Sequence, residues 1–335
     1  MRVWQIPSFG IDSLELVERP TPLPGPGEAL VKIQAVSLNY RDLMMVKGTY
    51  NPKLRLPRIP CSDGAGEVSA IGEGVSEWKP GDRVCGSFFQ NWLDGPPTHA
   101  KVKGALGGDI DGTLAEYLLL KEAGLVRIPD HLSFEEAATL PCAAVTAWNA
   151  LNATNLNPNS TVLIQGTGGV SIFALQFARL KGLRVLGISS SDAKLQRACS
   201  LGLDKGLDYG ETSEWDRWVT EQTNGEGVDL VVEVGGVGTL PRSLRAVKMG
   251  GMIAQIGVLS GSPAEPIPIP MILHKQVRIQ GIYVGSRHHF EKMNQAIAAA
   301  KLRPVFESRP WTEAREAFRE MESATHFGKL VLKVS

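Results

Sequence analysis

One stretch of the sequence restricts the fold more than any other. Residues 162–171, VLIQGTGGVS, join an apolar run typical of a buried strand to a glycine-rich turn. The apolar residues that follow recur at steps of three and four, which is the pattern of a helix with one apolar face: Val170, Phe173, Ala174, Phe177 and Leu180. A strand that enters a helix through glycines offers backbone N–H groups and the positive end of the helix dipole to a phosphate. The stretch therefore predicts a dinucleotide-binding turn.

This turn departs from the usual G-x-G-x-x-G fingerprint. Ser171 stands where the last glycine is usual, and Gly169 adds an extra one. By itself the motif also fits a tight strand-to-helix turn with no ligand, so the rest of the chain must decide. The predicted phosphate contacts are Gly166, Thr167, Gly168, Gly169 and Val170.

The composition is that of an ordinary globular protein. The 335 residues, 43% of them hydrophobic and 21% charged, are enough for two domains. Lysine plus arginine equals aspartate plus glutamate at 35 each, so no overall field favours nucleic acid or an anionic membrane, and a small-molecule substrate is expected. No apolar run approaches the roughly 18 residues of a membrane helix, and the start lacks a signal-peptide core, which predicts a cytoplasmic protein. The four cysteines are scattered singly, without a disulfide framework or a zinc-knot spacing.

The pattern of predicted elements changes along the chain. Up to about residue 125, short strands such as 29–36 and 64–72 are broken by glycine and proline. From about residue 134, strands alternate with helices, and the predicted strands are 162–165, 184–189, 228–234, 252–258 and 277–284. Such alternation predicts an α/β fold with a doubly wound parallel sheet. Composition does not decide whether the last fifty residues extend this domain or return to the first.

Several motifs spread over nearly the whole chain carry a family resemblance. They are Asn39-Tyr40-Arg41-Asp42, Gly48-Thr49-Tyr50, Gly64-Ala65-Gly66-Glu67-Val68, Pro80-Gly81-Asp82-Arg83-Val84, Gly112-Thr113-Leu114-Ala115-Glu116-Tyr117, Thr146-Ala147-Trp148, the turn at 166–171 and Gly328-Lys329. In this order they resemble the medium-chain dehydrogenase/reductase superfamily, and within it the zinc-independent quinone-oxidoreductase-like branch.

The resemblance implies two domains. A GroES-like β-barrel domain would comprise residues 1–126 and 286–335, and a Rossmann dinucleotide-binding domain would comprise residues 127–285. It also implies an active site in the cleft between the domains and a homodimer formed through the sheet edge at residues 277–284.

The residues at the family's zinc-ligand positions argue against a metal. Asn39 matches the first cysteine of the zinc alcohol dehydrogenases and Ser62 matches their histidine, so only Cys142 matches a ligand. No cysteine lies between residues 87 and 112, where the structural zinc lobe would be. We expect no zinc, and we interpret four of the six histidines as structural or solvated: His99, His274, His288 and His289.

The end of the second strand of the Rossmann domain bears on the cofactor. NAD-preferring domains place an acid there to bind the ribose hydroxyls, whereas this chain has Ser189 followed by Ser190. By resemblance to NADPH-using relatives, Lys194 and Tyr209 would contact the 2′-phosphate. The sequence therefore predicts NADP(H) in preference to NAD(H), although a shift of a few residues would make Asp192 the ribose acid.

The other predicted cofactor contacts follow two later strands or come from the resemblance. Gly235, Ile256, Gly257 and Val258 end apolar strands where a nicotinamide would lie, although simple strand-end turns are the alternative. The resemblance adds Cys142 and Thr146 near the nicotinamide, and a loop with Val284, Gly285 and Arg287.

The predicted chemistry is hydride transfer without a Lewis acid. An acceptor that delocalises charge itself, a quinone or an α,β-unsaturated carbonyl, suits such a site. By resemblance, Asn39 and Tyr50 line the cleft, and either could donate to a carbonyl oxygen, whereas Asp42 is interpreted as an ion-pair or turn residue. An alcohol dehydrogenase and a non-catalytic NADPH-binding protein remain as alternatives.

Overall fold

A computed structural model describes residues 1–260 and 266–334. These residues form two compact units, Met1–Val145 with Val284–Ser335 and Thr146–Tyr283, called here the first and second units. The elements are given below in chain order.

From the start of the chain they are β1 (Arg2–Gln5), β2 (Glu15–Glu18), β3 (Glu28–Leu38), α1 (Tyr40–Val46), β4 (Asp63–Ile71), β5 (Arg83–Gly86), α2 (His99–Val102), β6 (Tyr117–Lys121), β7 (Leu125–Arg127) and α3 (Phe134–Ala138). There follow α4 (Val145–Asn152), β8 (Thr161–Gln165), α5 (Gly169–Leu180), β9 (Arg184–Ser189), α6 (Asp192–Ser200), β10 (Lys205–Asp208), α7 (Trp215–Gln222), β11 (Val228–Glu233), α8 (Leu240–Ala246), β12 (Val247–Gln255), α9 (Ile269–His274) and β13 (Arg278–Gly281). The last elements are α10 (Arg287–Ala300), β14 (Phe306–Pro310), α11 (Ala314–Ser323) and β15 (Lys329–Lys333).

The first unit is built on a seven-stranded sheet in the order β14-β15-β3-β4-β5-β7, with β6 also paired to β3. Its core combines side chains from both ends of the chain, including Val31, Leu38, Phe318 and Leu332. The last segment, which composition left open, therefore packs with the first, as the family resemblance implies.

The second unit is built on a six-stranded sheet in the order β10-β9-β8-β11-β12-β13, in which every pair is parallel. All five residues of β8 are buried, which explains the unbroken apolar run in the sequence. The chain runs from β8 outwards to β10 and then crosses to β11, so the strand order reverses between β8 and β11. Open parallel sheets bind ligands at such a reversal, beyond the carboxyl ends of the strands. The predicted doubly wound fold is confirmed.

The sequence predicts the first boundary between residues 126 and 127, whereas the structure divides the units between Val145 and Thr146. Helix α3 packs against β3, β4 and β15, so residues 127–145 lie with the first unit. The helix begins at the predicted cap, where the Ser133 Oγ accepts from Glu136 N and the Glu136 carboxylate accepts from Ser133 N. At the other end the units divide between Tyr283 and Val284 rather than at 285/286.

Two strands end earlier than the sequence predicts. β12 stops at Gln255 because the next two N–H groups, of Ile256 and Gly257, both turn back to the carbonyl of Glu233. β13 stops at Gly281 rather than at Val284, whose φ of 55° lies in the left-handed region that no strand uses.

Within residues 1–260 and 266–334, no helix is long and apolar enough to span a bilayer.

Candidate functional site

The glycine turn of the second unit has the shape of a phosphate cradle. Gly166 follows β8 with a φ of 68°, and Gly168 caps the N-terminus of α5. A Cβ added at either glycine would meet no atom within 4 Å, so the backbone here faces open space. The first N–H groups of a twelve-residue helix point toward that space. The turn is therefore open on the side where a phosphate is predicted to bind.

Ser171 takes over the packing role of the missing third glycine. Its side chain is buried, and its Oγ donates to the carbonyl of Gln165, the last residue of β8, at 2.6 Å. The third glycine of the fingerprint serves to bring helix and strand close together. Here a hydroxyl bridges them instead, so the substitution leaves the phosphate side of the turn unchanged.

The end of β9 carries the residues predicted to select the cofactor. Ser189 is the last residue of the strand, and its carbonyl accepts from Tyr209 N at 2.9 Å, which brings these two predicted contacts together. Asp192 does not lie at the strand end: it is the first residue of α6, behind the capping Ser191, whose Oγ accepts from Lys194 N. The shift in register that would make Asp192 the ribose acid is not observed.

The ends of β11 and β12 lie at the same edge of the parallel sheet as the glycine turn. Gly235 follows β11, and residues 256–258 follow β12. Both glycines are required by packing: a Cβ at Gly257 would lie 1.8 Å from the carbonyl oxygen of Val234, and one at Gly235 would lie 2.3 Å from Oγ1 of Thr239. Their presence is thus explained with or without a nicotinamide beside them.

The buried Glu233 was not singled out from the sequence, although it is the one acid in an otherwise apolar strand end. Its Oε1 accepts from the N–H groups of Gly235 and Gly236 at 2.8 and 2.9 Å and from Thr239 Oγ1 at 2.6 Å. Its Oε2 accepts from Gln165 Nε2 at 2.8 Å and from the hydroxyl of Ser243. This carboxylate fixes the loop that follows β11, at the point where the strand order reverses.

The predicted cofactor contacts outside the sheet are divided between the units. Thr146, in α4, belongs to the second unit, whereas Cys142, Val284, Gly285 and Arg287 belong to the first. The Arg287 guanidinium already pairs with Glu291 at 2.8 Å and with Glu77, and it donates to the carbonyl of Ala123 at 3.2 Å. A phosphate at Arg287 would compete with these partners, so its assignment stays a prediction.

The first unit brings the matched zinc-ligand positions together around a buried ion pair. Ser62 Oγ donates to Asp63 Oδ1 at 2.7 Å and lies 3.3 Å from Asn39 Nδ2, while the N–H of Cys142 donates to Asp63 Oδ2 at 3.1 Å. The Nζ of Lys329 lies 2.6 Å from Asn39 Oδ1 and 3.9 Å from Asp63 Oδ2. We call these five residues the Lys329 cluster: Asn39, Ser62, Asp63, Cys142 and Lys329.

Local structure holds Asn39 in this cluster. It precedes α1, and its N–H donates to Asp42 Oδ2 at 2.9 Å. The buried Asp42 also pairs with Arg41 at 3.3 Å. Asp42 is thus a capping and ion-pair residue, as interpreted from the sequence. Tyr50 lies in the same unit with its ring 5.7 Å from the Arg41 guanidinium, and the residue is 40% exposed.

Burial sets the protonation of the cluster. It raises the pKa of Asp63 to about 6, against the opposing charge of Lys329. Burial, with a contribution from the Asp63 carboxylate, also raises the pKa of the Cys142 thiol well above its usual range. At neutral pH the Asp63 carboxyl group is therefore mostly ionised and the Cys142 thiol is protonated.

These donors fit zinc poorly. Zn²⁺ in proteins is bound by thiolate, imidazole and carboxylate, whereas the cluster offers one carboxylate, Asp63, beside a carboxamide, a hydroxyl and a protonated thiol. The Lys329 ammonium already balances the Asp63 charge, so a divalent ion would meet a cation. Among the described residues, no group of three or more His, Cys, Asp or Glu side chains is placed to hold a metal ion.

Comparison with known proteins agrees with both units. A family model described as alcohol dehydrogenase GroES-like domain matches residues 25–130, and one described as zinc-binding dehydrogenase matches residues 169–299. A zinc-type alcohol dehydrogenase-like protein of Schizosaccharomyces pombe is 44% identical over 97% of this chain and 96% of its own length. The crystal structure of a putative alcohol dehydrogenase from Sinorhizobium meliloti is 38% identical with a TM-score of 0.91, covering 99% of this chain and 98% of that one.

Two further relatives are named for different chemistry. An acryloyl-coenzyme A reductase of Metallosphaera sedula is 29% identical over 95% of this chain and 96% of its own length. A quinone oxidoreductase structure from Pseudomonas syringae is 26% identical with a TM-score of 0.84, covering 99% of each chain. Identity over nearly the full length, together with both matching domains, shows that this chain is an oxidoreductase of the medium-chain dehydrogenase/reductase superfamily.

Proposed function

We propose that this oxidoreductase uses NADPH to reduce a quinone or an α,β-unsaturated carbonyl and that it does so without a metal. The Lys329 cluster carries the proposal, because a carboxamide and a hydroxyl stand at two of the three positions where zinc-type relatives need metal ligands, with a buried ammonium beside them. A saturated alcohol must lose its hydroxyl proton as it gives up hydride, which a bound zinc ion assists, whereas a quinone or enone takes up negative charge by delocalising it. The relatives named as a quinone oxidoreductase and an acryloyl-coenzyme A reductase support this choice of acceptors.

The proposed cofactor site is the glycine turn with the end of β9. The open face above Gly166 and Gly168 would hold the pyrophosphate against the N-terminus of α5. Ser189, in place of an acid, would leave room for a 2′-phosphate beside Tyr209, with Lys194 supplying a positive charge. When bound, NADPH supplies the hydride.

In the proposed reaction the protein positions and stabilises charge. As the acceptor gains two electrons, negative charge grows on its carbonyl oxygen, and a nearby N–H or O–H must meet it. The Asn39 amide is the first candidate donor, and its NH₂ group lies against Ser62 Oγ at 3.3 Å and the Asp63 carboxylate, so a substrate oxygen would share this donor with them. The Tyr50 hydroxyl is the second candidate donor. Water then supplies the proton that completes the reduced product.

A panel of acceptors tests this function. We expect purified protein to oxidise NADPH in the presence of 1,4-benzoquinone or methyl vinyl ketone, and to show little oxidation of simple alcohols with NADP⁺. Zinc-dependent oxidation of an alcohol as the preferred reaction would identify an alcohol dehydrogenase instead. Tight NADPH binding with no turnover of any acceptor would identify a non-catalytic binding protein.

The cofactor preference is tested by placing an acid at the end of β9. The Ser189→Asp variant is expected to weaken NADPH binding roughly tenfold or more and to improve NADH binding, because its carboxylate repels a 2′-phosphate and accepts from ribose hydroxyls. Ser200→Asp, which adds the same charge on the exposed end of α6, is the matched control and should leave both affinities unchanged. Tighter binding of NADH than NADPH by the unmodified protein would contradict the assignment.

We also propose that two copies associate through β13. All four residues of this strand are exposed, and among the described strands it pairs only with β12. An edge with unpaired backbone groups and exposed apolar side chains such as Ile279 is suited to a symmetric strand-to-strand contact.

Light scattering during gel filtration tests this association. We expect a dimer for the unmodified protein and for Leu23→Lys, which changes an apolar residue that is 86% exposed in the first unit. Ile279→Lys should shift the protein to monomers. A monomeric unmodified protein at tens of micromolar would rule the dimer out.

A further inference from the structure

The reaction proposed above gives the buried ammonium of Lys329 no role of its own. Lys329 is the first residue of β15 and is 3% exposed, an unusual position for a lysine. Its Nζ donates to the carbonyl of Leu38 at 2.5 Å and to Asn39 Oδ1 at 2.6 Å. Both partners belong to the segment that carries the proposed substrate donor.

These contacts fix which way round the Asn39 amide lies. An ammonium has three donors and no acceptor, so the atom of Asn39 that faces it must be the oxygen. Rotating the amide by half a turn would place its NH₂ group against the ammonium, with two donors facing each other at 2.6 Å. The amide nitrogen therefore points away from Lys329, toward Ser62.

The rest of the cluster agrees with this direction. Because Ser62 Oγ accepts from the Asn39 amide, its own hydrogen is free to donate to Asp63 Oδ1, where the distance is 2.7 Å. Asp63 then accepts from Cys142 N at its other oxygen and lies near the ammonium, which closes a ring of polar contacts. Each hydrogen bond in the ring thus pairs a donor with an acceptor, and no two donors face each other.

We propose that Lys329 is a positioning residue, which locks the Asn39 carboxamide so that an N–H, and never the carbonyl oxygen, faces the acceptor's carbonyl. This inference rests on the proposed function, since it names the device that makes Asn39 a donor. Without Lys329 only Ser62 and Asp63 would hold the amide, and a turned amide would present a lone pair to the growing negative charge. The ammonium acts through Asn39 and does not touch the substrate.

A purely structural role for Lys329 makes a different prediction. If the ammonium only neutralised Asp63, its loss would destabilise the first unit whether or not Asn39 were present. If it orients the amide, its effect on turnover must disappear once the amide is gone. A double-mutant cycle separates the two roles, because residues that act as one unit are not additive.

The cycle uses Lys329→Met, Asn39→Ala and the double variant. We expect Lys329→Met to lower kcat about tenfold with little change in KM for NADPH, and the double variant to be no slower than Asn39→Ala alone. Lys329→Arg, which keeps a buried donor and its charge, should recover most of the loss. Additive losses in the double variant, or an unchanged kcat in Lys329→Met, would overturn the proposal.

Two further variants complete the experiment: one in case Lys329→Met does not fold, and one as a control. Lys329→Met/Asp63→Asn removes both charges of the pair together, and it replaces Lys329→Met in the cycle if the single variant does not fold. Lys275→Met is the matched control: the Nζ of Lys275 donates to three carbonyls in the second unit, of Leu244, Arg245 and Val247. Lys275→Met should lower the free energy of unfolding, and this loss should add to the loss caused by Asn39→Ala.

The orientation of the amide can also be observed without turnover. In high-resolution crystal structures we expect the Asn39 oxygen to face residue 329 in the unmodified protein and in Lys329→Arg, and the amide to be turned or disordered in Lys329→Met. An unchanged amide in Lys329→Met would contradict the inference even in an active enzyme. If the unmodified protein reduces no acceptor, the proposed function fails, while these structures still report on Lys329.

Discussion

Replacing Asn39 with alanine is expected to slow reduction of the best acceptor about 100-fold, while NADPH affinity changes little. Removing one preorganised donor to a developing oxyanion costs on the order of 100- to 1,000-fold in kcat, or about 3 kcal/mol. Stopped-flow measurement of NADPH oxidation in a single turnover would separate hydride transfer from product release. The loss of rate should appear in the hydride-transfer step.

Asn294→Ala is the matched control for this substitution. Asn294 and Asn39 lie in the same unit and are each 8% exposed, but the Asn294 amide donates to the carbonyl of Arg127, outside the Lys329 cluster. The Asn294→Ala variant should be less stable than the unmodified protein but should keep its hydride-transfer rate. Equal rates in both variants would show that the Asn39 amide does not contact the reacting carbonyl.

The second large effect is expected at the glycine turn. Gly166→Asp should raise the Kd for NADPH at least about 100-fold, which corresponds to about 2.7 kcal/mol, because a carboxylate would enter the space proposed for the pyrophosphate. Fluorescence titration of NADPH gives the affinity directly. Thermal unfolding of the same samples would show whether the fold is retained.

Gly182→Asp gives a closely matched comparison. Gly166 and Gly182 have φ values of 68° and 70°, and a Cβ at either would meet no atom within 4 Å. The two substitutions therefore add the same charge and the same backbone strain, and aspartate tolerates this conformation better than most residues. If both variants bound NADPH equally well, the turn at 166–171 would not be the phosphate site.

Local patterns were enough to predict the second unit. The apolar run before Gly166 and the apolar face from Val170 to Leu180 follow from strand and helix geometry, and both elements occur where expected. The strand ends were harder to place. β12 and β13 end where the backbone turns back to Glu233 or adopts a left-handed conformation at Val284, and neither feature has a periodic pattern.

The Lys329 cluster could be predicted only in part. The family motifs drew attention to Asn39 and Ser62 as lost metal ligands and to Cys142 as a retained one, but not to the three as members of a polar ring. Lys329 is 290 residues from Asn39 along the chain, and only the pairing of β15 with β3 brings them together. A lysine after a glycine at the start of an apolar strand gives no local indication that its charge will be buried.

In the proposed mechanism this cluster takes the place of a metal, and that has a direct chemical consequence. A zinc ion polarises a carbonyl by its charge, whereas a carboxamide does so through a hydrogen bond whose direction must be fixed. The weaker donor suits acceptors that are already electron-poor. We therefore expect reactivity to follow the reduction potential of the acceptor more closely than the size of its substituents.

The most direct test is to measure metal content and NADPH-dependent reduction on one sample purified without chelators. We expect full activity toward a quinone or enone with less than about 0.1 zinc per chain, and no change on adding zinc or a chelator. About one zinc per chain, with activity lost on its removal and restored on its return, would contradict a metal-free mechanism.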